Sequence, residues 1–330
     1  MSDIGLCVAK DTTVTPASLA VIGSQWARWT FDPDFEHEQV AYCKNLRALG
    51  IKRFGTCDMD TYRKFGNPHA VDTWERTHEW LANTFSGYVD AVNPLNEPDG
   101  TGHESSSMAI WEVNAILRIT RETWPSLTRI VGVGDITGQG PNYYSQIATQ
   151  YLDGIDAHLY AKDGQALSDA IDWYLTMGKP LWLSEIGVSS DQVGEVEQAR
   201  FLKDNLALVK NRSDVEACFW FCAHAYDGWG LWRPDGSTKL AHAEFQKIMH
   251  PPKPVPQFAL GFLEMHQSNP RLTGQPLEME IYPHPGLSQQ WTTTGLFWWG
   301  STNLGGDGMG FTGYDLSRYL WDGSQLRKVN

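Results

Sequence analysis

From Ile4 to Met249 the chain alternates strand-like and helix-like segments joined by short connections, and this alternation narrows the possible folds more than any other feature. The strand candidates are Ile4–Ala9, Trp26–Phe31, Ile51–Thr56, Val89–Pro94, Arg129–Val133, Ile155–Tyr160, Pro180–Ile186 and Val215–Ala223. Between them run amphipathic stretches. Phe35–Leu49 places Val40, Tyr42, Cys43, Leu46 and Leu49 close to one helical face and ends at Gly50. Ala109–Trp124 is closed by Pro125, Asp169–Met177 stops at Gly178, and Glu195–Lys210 carries Phe201, Leu202, Leu206 and Val209 at helical spacing. Leu240–Met249 follows the last strand. Parallel neighbours need a crossover between them, so strand–helix repetition predicts a parallel sheet. Eight units in about 250 residues match a closed (β/α)8 barrel, the TIM-barrel architecture. A doubly wound nucleotide-binding sheet would want glycines after its first strand, and Ala9-Lys10-Asp11-Thr12-Thr13 has none.

The composition changes at His250. Residues 250–257, HPPKPVPQ, hold four prolines and read as a stiff linker. Residues 258–330 are rich in Gly, Trp and Thr, with turn signals at Pro285-Gly286, Gly305-Gly306 and Asp322-Gly323. The expected organisation is a barrel over 1–249, the linker, and a small β-rich module over 258–330.

Charge and cysteine usage exclude several function classes. The net charge is −13, with no basic stripe, which argues against binding nucleic acid. No apolar run is long enough to span a bilayer; the longest, Ala217–Ala225, is broken by His224. Asp3 stands where a secretion signal carries positive charge, so either the chain is not exported by that route or a signal has been removed. Five cysteines, Cys7, Cys43, Cys57, Cys218 and Cys222, sit in or near apolar patterns without paired spacing, as buried thiols do. The ten histidines form no metal-ligand motif, so neither a metal nor a cofactor is expected. Aromatic residues reach 12%, and their faces suit the apolar faces of sugar rings.

In a barrel enzyme the chemistry sits at the C-terminal ends of the strands. The fourth strand exits through Asn93-Pro94-Leu95-Asn96-Glu97-Pro98 and the seventh through Ser184-Glu185-Ile186-Gly187, so each places a glutamate there in apolar, aromatic surroundings. Two carboxylates facing each other are what glycosidic cleavage needs. These two exits resemble those of the clan A glycoside hydrolases, retaining (β/α)8 enzymes. The resemblance covers roughly residues 4–249. It implies that Glu97 is the acid/base and Glu185 the nucleophile, separated by roughly 5–5.5 Å rather than the 6.5–9.5 Å of inverting enzymes. It further implies that Arg28 orients the nucleophile, that Asn96 holds a sugar hydroxyl, and that Tyr160 of the His158-Leu159-Tyr160 run hydrogen-bonds the nucleophile, with His158 in a positioning role. Trp220 resembles the tryptophan that floors the sugar site, and Trp229 with Asp227 lies in the subsite loop that follows. Beside Arg28 and Tyr160, Glu185 is expected to stay ionised, and Glu97, under apolar neighbours, to hold its proton.

Other polar residues at the active face, Asp58, Asp60, Tyr62, Asp135, His103, Glu104 and Ser105–Ser107, read more readily as loop and helix caps. In the C-terminal module, Leu272–Leu277, Gln289-Gln290-Trp291 and Thr294–Trp299 distantly resemble short wall-associated repeats of actinobacterial proteins, which implies carbohydrate or wall binding. The expected function is retaining hydrolysis of a β-linked poly- or oligosaccharide, a substrate class that points outside the cell. The alternatives are a non-catalytic glycan-binding barrel and a lysin-like hydrolase of wall polymers.

Overall fold

A computed structural model describes residues 2–8, 14–99, 108–134, 141–224 and 228–251, and beyond them 266–267, 270, 281–284, 287–292, 295–300, 308–313, 318–321 and 326–329. The chain divides into two compact units, Met1–Pro251 and Pro252–Asn330. The expected linker and the Ala9–Thr13 loop lie largely outside the described residues, as do Leu272–Leu277 and the turns at 285–286, 305–306 and 322–323.

The first unit is a barrel. In chain order its elements are β1 (Asp3–Cys7), α1 (Pro16–Ile22), β2 (Trp26–Thr30), α2 (Glu36–Ala48), β3 (Lys52–Thr56), α3 (Met59–Arg63), α4 (Val71–Phe85), β4 (Ala91–Asn93), α5 (Ile110–Thr123), β5 (Arg129–Ile130) and α6 (Pro141–Tyr144). They continue with β6 (Ile155–His158), α7 (Gly164–Leu175), β7 (Leu181–Ile186), α8 (Ser190–Val193), α9 (Glu195–Lys210), β8 (Val215–Trp220) and α10 (Leu240–Met249). The strands pair in the order β5-β4-β3-β2-β1-β8-β7-β6, all in parallel. The two ends meet through a parallel bridge between Val131 and Gly154, with Asp153 N–H donating to Ile130 O at 2.7 Å and Gly132 N–H to Gly154 O at 2.9 Å. The expected (β/α)8 architecture is therefore present, closed at its weakest seam by this bridge.

Helices α1 and α4, and the short helices α3, α6 and α8, add to those expected. α4 buries Trp74, His78, Leu81 and Phe85, spaced three and four residues apart along one face. α7 starts five residues earlier than the periodicity suggested, because the Asp163 side chain accepts from Ala166 N–H and caps it.

Alternation along the strands sorts the side chains into two layers. Ile4, Leu6, Ala27, Trp29, Leu181, Leu183, Cys218 and Trp220 face the helices. Trp26, Phe54, Trp182 and Phe219 fill the barrel interior, with Trp182 5.0 Å from the Trp26 ring and 5.3 Å from Phe54. Gly5 faces these rings; a Cβ there would sit 2.6 Å from the Trp26 Cβ, so only glycine leaves room for them. In the C-terminal unit, β9 (Ile281–His284), β10 (Leu287–Trp291), β11 (Gly295–Gly300), β12 (Gly308–Gly313), β13 (Arg318–Trp321) and β14 (Leu326–Lys328) form an antiparallel meander.

Candidate active site

Two residues beyond the two interior tryptophans, the same strand parity brings a polar side chain to the barrel mouth: Arg28 follows Trp26, and Ser184 follows Trp182. Glu185 breaks the alternation. Asp156 and His158 of β6 pair with Trp182 and Glu185, and Cys218 and Trp220 of β8 pair with Leu183 and Ile186. β7 thus carries one extra residue between Leu183 and Ile186, a β-bulge that turns Ser184 and Glu185 both inward.

Glu185 is buried and held by three groups. Arg28 Nη1 donates to Oε1 at 2.8 Å, the Tyr160 hydroxyl donates to Oε2, and His158 Nε2 lies 3.6 Å from Oε1. Burial by itself raises the Glu185 pKa, but the charges of His158 and Arg28 and the Tyr160 hydrogen bond outweigh it and hold the carboxyl below its ordinary range. Arg28 also donates through Nη2 to Asn96 Oδ1 at 2.7 Å and lies over the Phe54 ring. That bond fixes the orientation of the Asn96 amide, turning its NH2 away from Arg28.

Glu97, also buried, stands at the exit of β4 with φ +50°, a left-handed conformation that costs a glutamate of order 1–3 kcal/mol. Its Oε1 is 2.5 Å from His158 Nδ1. The other imidazole nitrogen, Nε2, is 3.0 Å from Ser184 Oγ, which donates to Asp156 Oδ2 at 2.7 Å. Because the serine proton is spent on Asp156, its oxygen accepts from Nε2–H, which leaves Nδ1 as the imidazole nitrogen that faces Glu97. One proton is then shared between Glu97 and His158. Burial pulls the His158 pKa down, while Glu185 and Glu97 pull it up and prevail. Asp156 is braced by Asn93 Nδ2 and Ser184 N–H.

An oxygen of Glu97, an oxygen of Glu185 and a nitrogen of His158 lie within 4.8 Å of one another. Such a cluster could hold a metal ion. Here, though, Nδ1 faces Glu97 and the Glu185 oxygens face Arg28 and Tyr160, so the positive partners are a guanidinium and a proton. The arrangement is suited to proton transfer beside a fixed carboxylate.

Of the sequence candidates, Arg28, Asn96, Glu97, His158, Tyr160 and Glu185 come together, and Trp229 joins them with its ring 5.2 Å from Tyr160. Trp220 does not. It is fully buried against Phe201 of α9, because Phe219 points into the barrel and its neighbour must point out. Phe221, one residue on, takes the inward position, 6.3 Å from Tyr160 and 5.8 Å from Trp229. Counting parity from Phe219 would have found it. Asp156 and Cys7 were also missed. Cys7 Sγ lies 3.7 Å from Arg28 Nη1, its thiol pushed up to about 12 by burial, so it is an inert neighbour. Asp58 caps α3 by accepting from Thr61 N–H, as expected. His103, Glu104, Ser105–Ser107, Asp135 and Asp227 lie outside the described residues.

Comparison with known proteins agrees with this fold. An endo-β-1,3-glucanase of family GH128, subgroup I, from Amycolatopsis mediterranei, solved with laminaritriose, is 17% identical with a TM-score of 0.53, covering 75% of this chain and 100% of its own. A family 39 glycoside hydrolase from the gut symbiont Bacteroides cellulosilyticus is 15% identical with a TM-score of 0.58, covering 91% and 70%. A GH5-4 broad-specificity endoglucanase from Clostridium acetobutylicum is 14% identical with a TM-score of 0.56, covering 75% and 96%. No curated protein sequence matches. Residues 74–238, half of the chain and the stretch running from α4 past β8, match the glycosyl hydrolase catalytic core; the chain belongs to that family and is a glycoside hydrolase.

Proposed function

We propose that the protein is a retaining β-glycoside hydrolase in which Glu185 is the nucleophile and Glu97 the acid/base. The observation that carries this reading is the unequal environment of two buried carboxyls whose oxygens approach within 4.8 Å, close to the separation of retaining enzymes. Glu185, bound by a guanidinium and a phenol, keeps its charge and attacks the anomeric carbon. Glu97 gives its proton to the glycosidic oxygen as that bond breaks. Proton loss leaves Glu97 as a carboxylate beside His158, ready to act as the base of the second step. It takes a proton from water as the water oxygen attacks the anomeric carbon and releases Glu185.

Arg28 and Tyr160 hold the nucleophile in place, Asn96 offers its amide NH2 to a sugar hydroxyl, and Trp229 and Phe221 supply the apolar wall. Laminarioligosaccharide-binding and endoglucanase neighbours make β-glucans the first substrates to test. In this reading residues 1–249 do the chemistry, and residues 258–330, after the proline-rich linker, hold carbohydrate or wall polymer.

Intact-protein mass spectrometry after incubation with 2-deoxy-2-fluoro β-glucosyl and β-laminaribiosyl fluorides tests the mechanism. Fluorine slows breakdown of the glycosyl–enzyme, so a mass increase on Glu185 is expected. Inversion of the anomeric configuration in the released product, followed by NMR, would exclude the assignment.

A further inference from the structure

Behind the β4 exit, outside the barrel wall, lies a buried polar chain that the chemistry above does not use. Tyr62 of α3 and His78 of α4 have no exposed surface, and Trp124, at the end of α5, is almost fully buried. The Tyr62 hydroxyl donates to the backbone carbonyl of Pro94 at 2.6 Å and lies 2.9 Å from His78 Nε2. Trp124 Nε1–H donates to His78 Nδ1 at 3.4 Å. Thr120 Oγ1, which donates to Ile116 O, lies 3.2 Å from Nε2.

The direction of every bond is fixed by what each group can do. An indole N–H only donates, so Nδ1 accepts and the imidazole is neutral with its proton on Nε2. That proton goes to the oxygens of Tyr62 and Thr120, and the single phenolic proton is left for Pro94. A charged imidazole would carry a proton at Nδ1 facing the indole N–H. Burial pushes the His78 pKa down to about 3, in keeping with the neutral form.

Pro94 lies three residues before Glu97 in a turn pinned at several points. Leu95 N–H donates to Asn93 Oδ1 at 2.9 Å, and Asn96 N–H donates to Cys57 O at 2.8 Å. Glu97 itself is in the left-handed region, a conformation that persists only where its surroundings over-determine it. Pro94 donates no N–H, so its carbonyl is the one polar handle the residue offers, and Tyr62 holds it.

We infer that Tyr62, backed by His78 and Trp124, is a positioning residue for the Glu97 carboxyl, holding the strained turn that aims the acid proton. The inference rests on the acid/base reading of Glu97, and its test separates the two. The probes are aryl β-cellobiosides and β-laminaribiosides whose leaving groups run from phenol to 2,4-dinitrophenol. Departure of phenol needs the acid; departure of 2,4-dinitrophenol does not. The readout is kcat/KM, which reports the first, acid-dependent step alone. A misaimed acid lowers kcat/KM on the phenyl glycosides by about tenfold and spares kcat/KM on the dinitrophenyl glycosides, whose kcat is limited by the later, base-assisted step.

Tyr62→Phe is expected to show that selectivity, with Glu97→Ala showing it more strongly. Trp124→Phe, which strips the donor at the far end of the chain, is expected to show it weakly, about threefold. Should Tyr62→Phe lose the native circular dichroism spectrum, Trp124→Phe carries the test. Equal loss on both leaving groups in these variants, or none, with Glu97→Ala still selective, overturns the inference alone. Absence of selectivity in Glu97→Ala overturns the acid/base reading and the inference with it.

Discussion

The exits of β4 and β7 each deliver one buried glutamate to the same cleft, yet they hold it by opposite means. At β7 the strand bulges, and Glu185 meets Arg28 and Tyr160 with both oxygens. Such donors favour the charged form and fix its geometry. At β4 the backbone is strained, and Glu97 meets the Nδ1 of His158. An imidazole already committed at its other nitrogen can give or take one proton there. The lesson is that position at a strand end supplies a carboxyl, while the partners across the barrel decide whether it attacks or protonates.

The largest test of that asymmetry is to remove the two carboxyls separately. Glu185→Gln should lower kcat by about 10⁴-fold or more on every substrate, because no nucleophile remains. Glu97→Ala should cost about 10²–10⁴-fold on substrates with poor leaving groups. Added azide should restore turnover in Glu97→Ala and yield a β-glycosyl azide, detectable by NMR. Equal losses without rescue would mean the two sites are not specialised as described.

A smaller effect separates the two tryptophans of the eighth-strand region. Trp229→Ala, at the Tyr160 side of the cleft, should raise KM about tenfold with little change in thermal midpoint, as loss of a stacking face does. Trp220→Ala should cost about 3–5 kcal/mol of stability with KM unchanged, since it removes a fully buried ring packed on α9. The reverse pattern in denaturant melts and kinetics would return Trp220 to the site.

The smallest effect concerns the support behind β4. The unfolded chain protonates His78 near 6.5, and the folded chain only near 3. Above pH 6.5 neither state binds the proton and His78 has no effect. Between pH 6.5 and 3 only the unfolded state does, so folding free energy falls by up to about 1.4 kcal/mol per pH unit. His78→Gln should flatten that slope in urea titrations at pH 7, 5 and 4. Glu185 and His158 titrate in both proteins and cancel in the difference. Equal slopes would mean His78 is charged in the fold, against the bond order proposed for the Tyr62 chain.

Much of the site was legible because it follows from local pattern. Asn96-Glu97 and Ser184-Glu185 end strand-like runs, and Arg28 and Tyr160 sit at the exits of two others, so their place at the barrel mouth needed only the correct strand count. Trp220 failed because resemblance outranked parity: Phe219 in the interior obliges Trp220 to face α9. Asp156 gave no signal, since a carboxylate inside an apolar strand reads as an interruption until Asn93 and Ser184 are seen to meet it. Helix α4 was passed over because polar residues such as His78 and Thr77 interrupt its apolar face, and their partners lie on other elements or one turn back.

Sequence by itself determined the alternation of eight strands with helices, the proline-rich break at residues 250–257, and the two glutamates at strand ends, because these depend on periodicity and nearest neighbours. Tertiary structure decided the rest. The bridge between Val131 and Gly154 closes the barrel, the extra residue in β7 turns Glu185 inward, and the bonds of His158, Arg28 and Tyr160 give the two carboxyls different work. Each of these joins groups more than 20 residues apart in the chain. Their register is set by how strands pair and what the barrel must bury, and no local window of sequence carries that information.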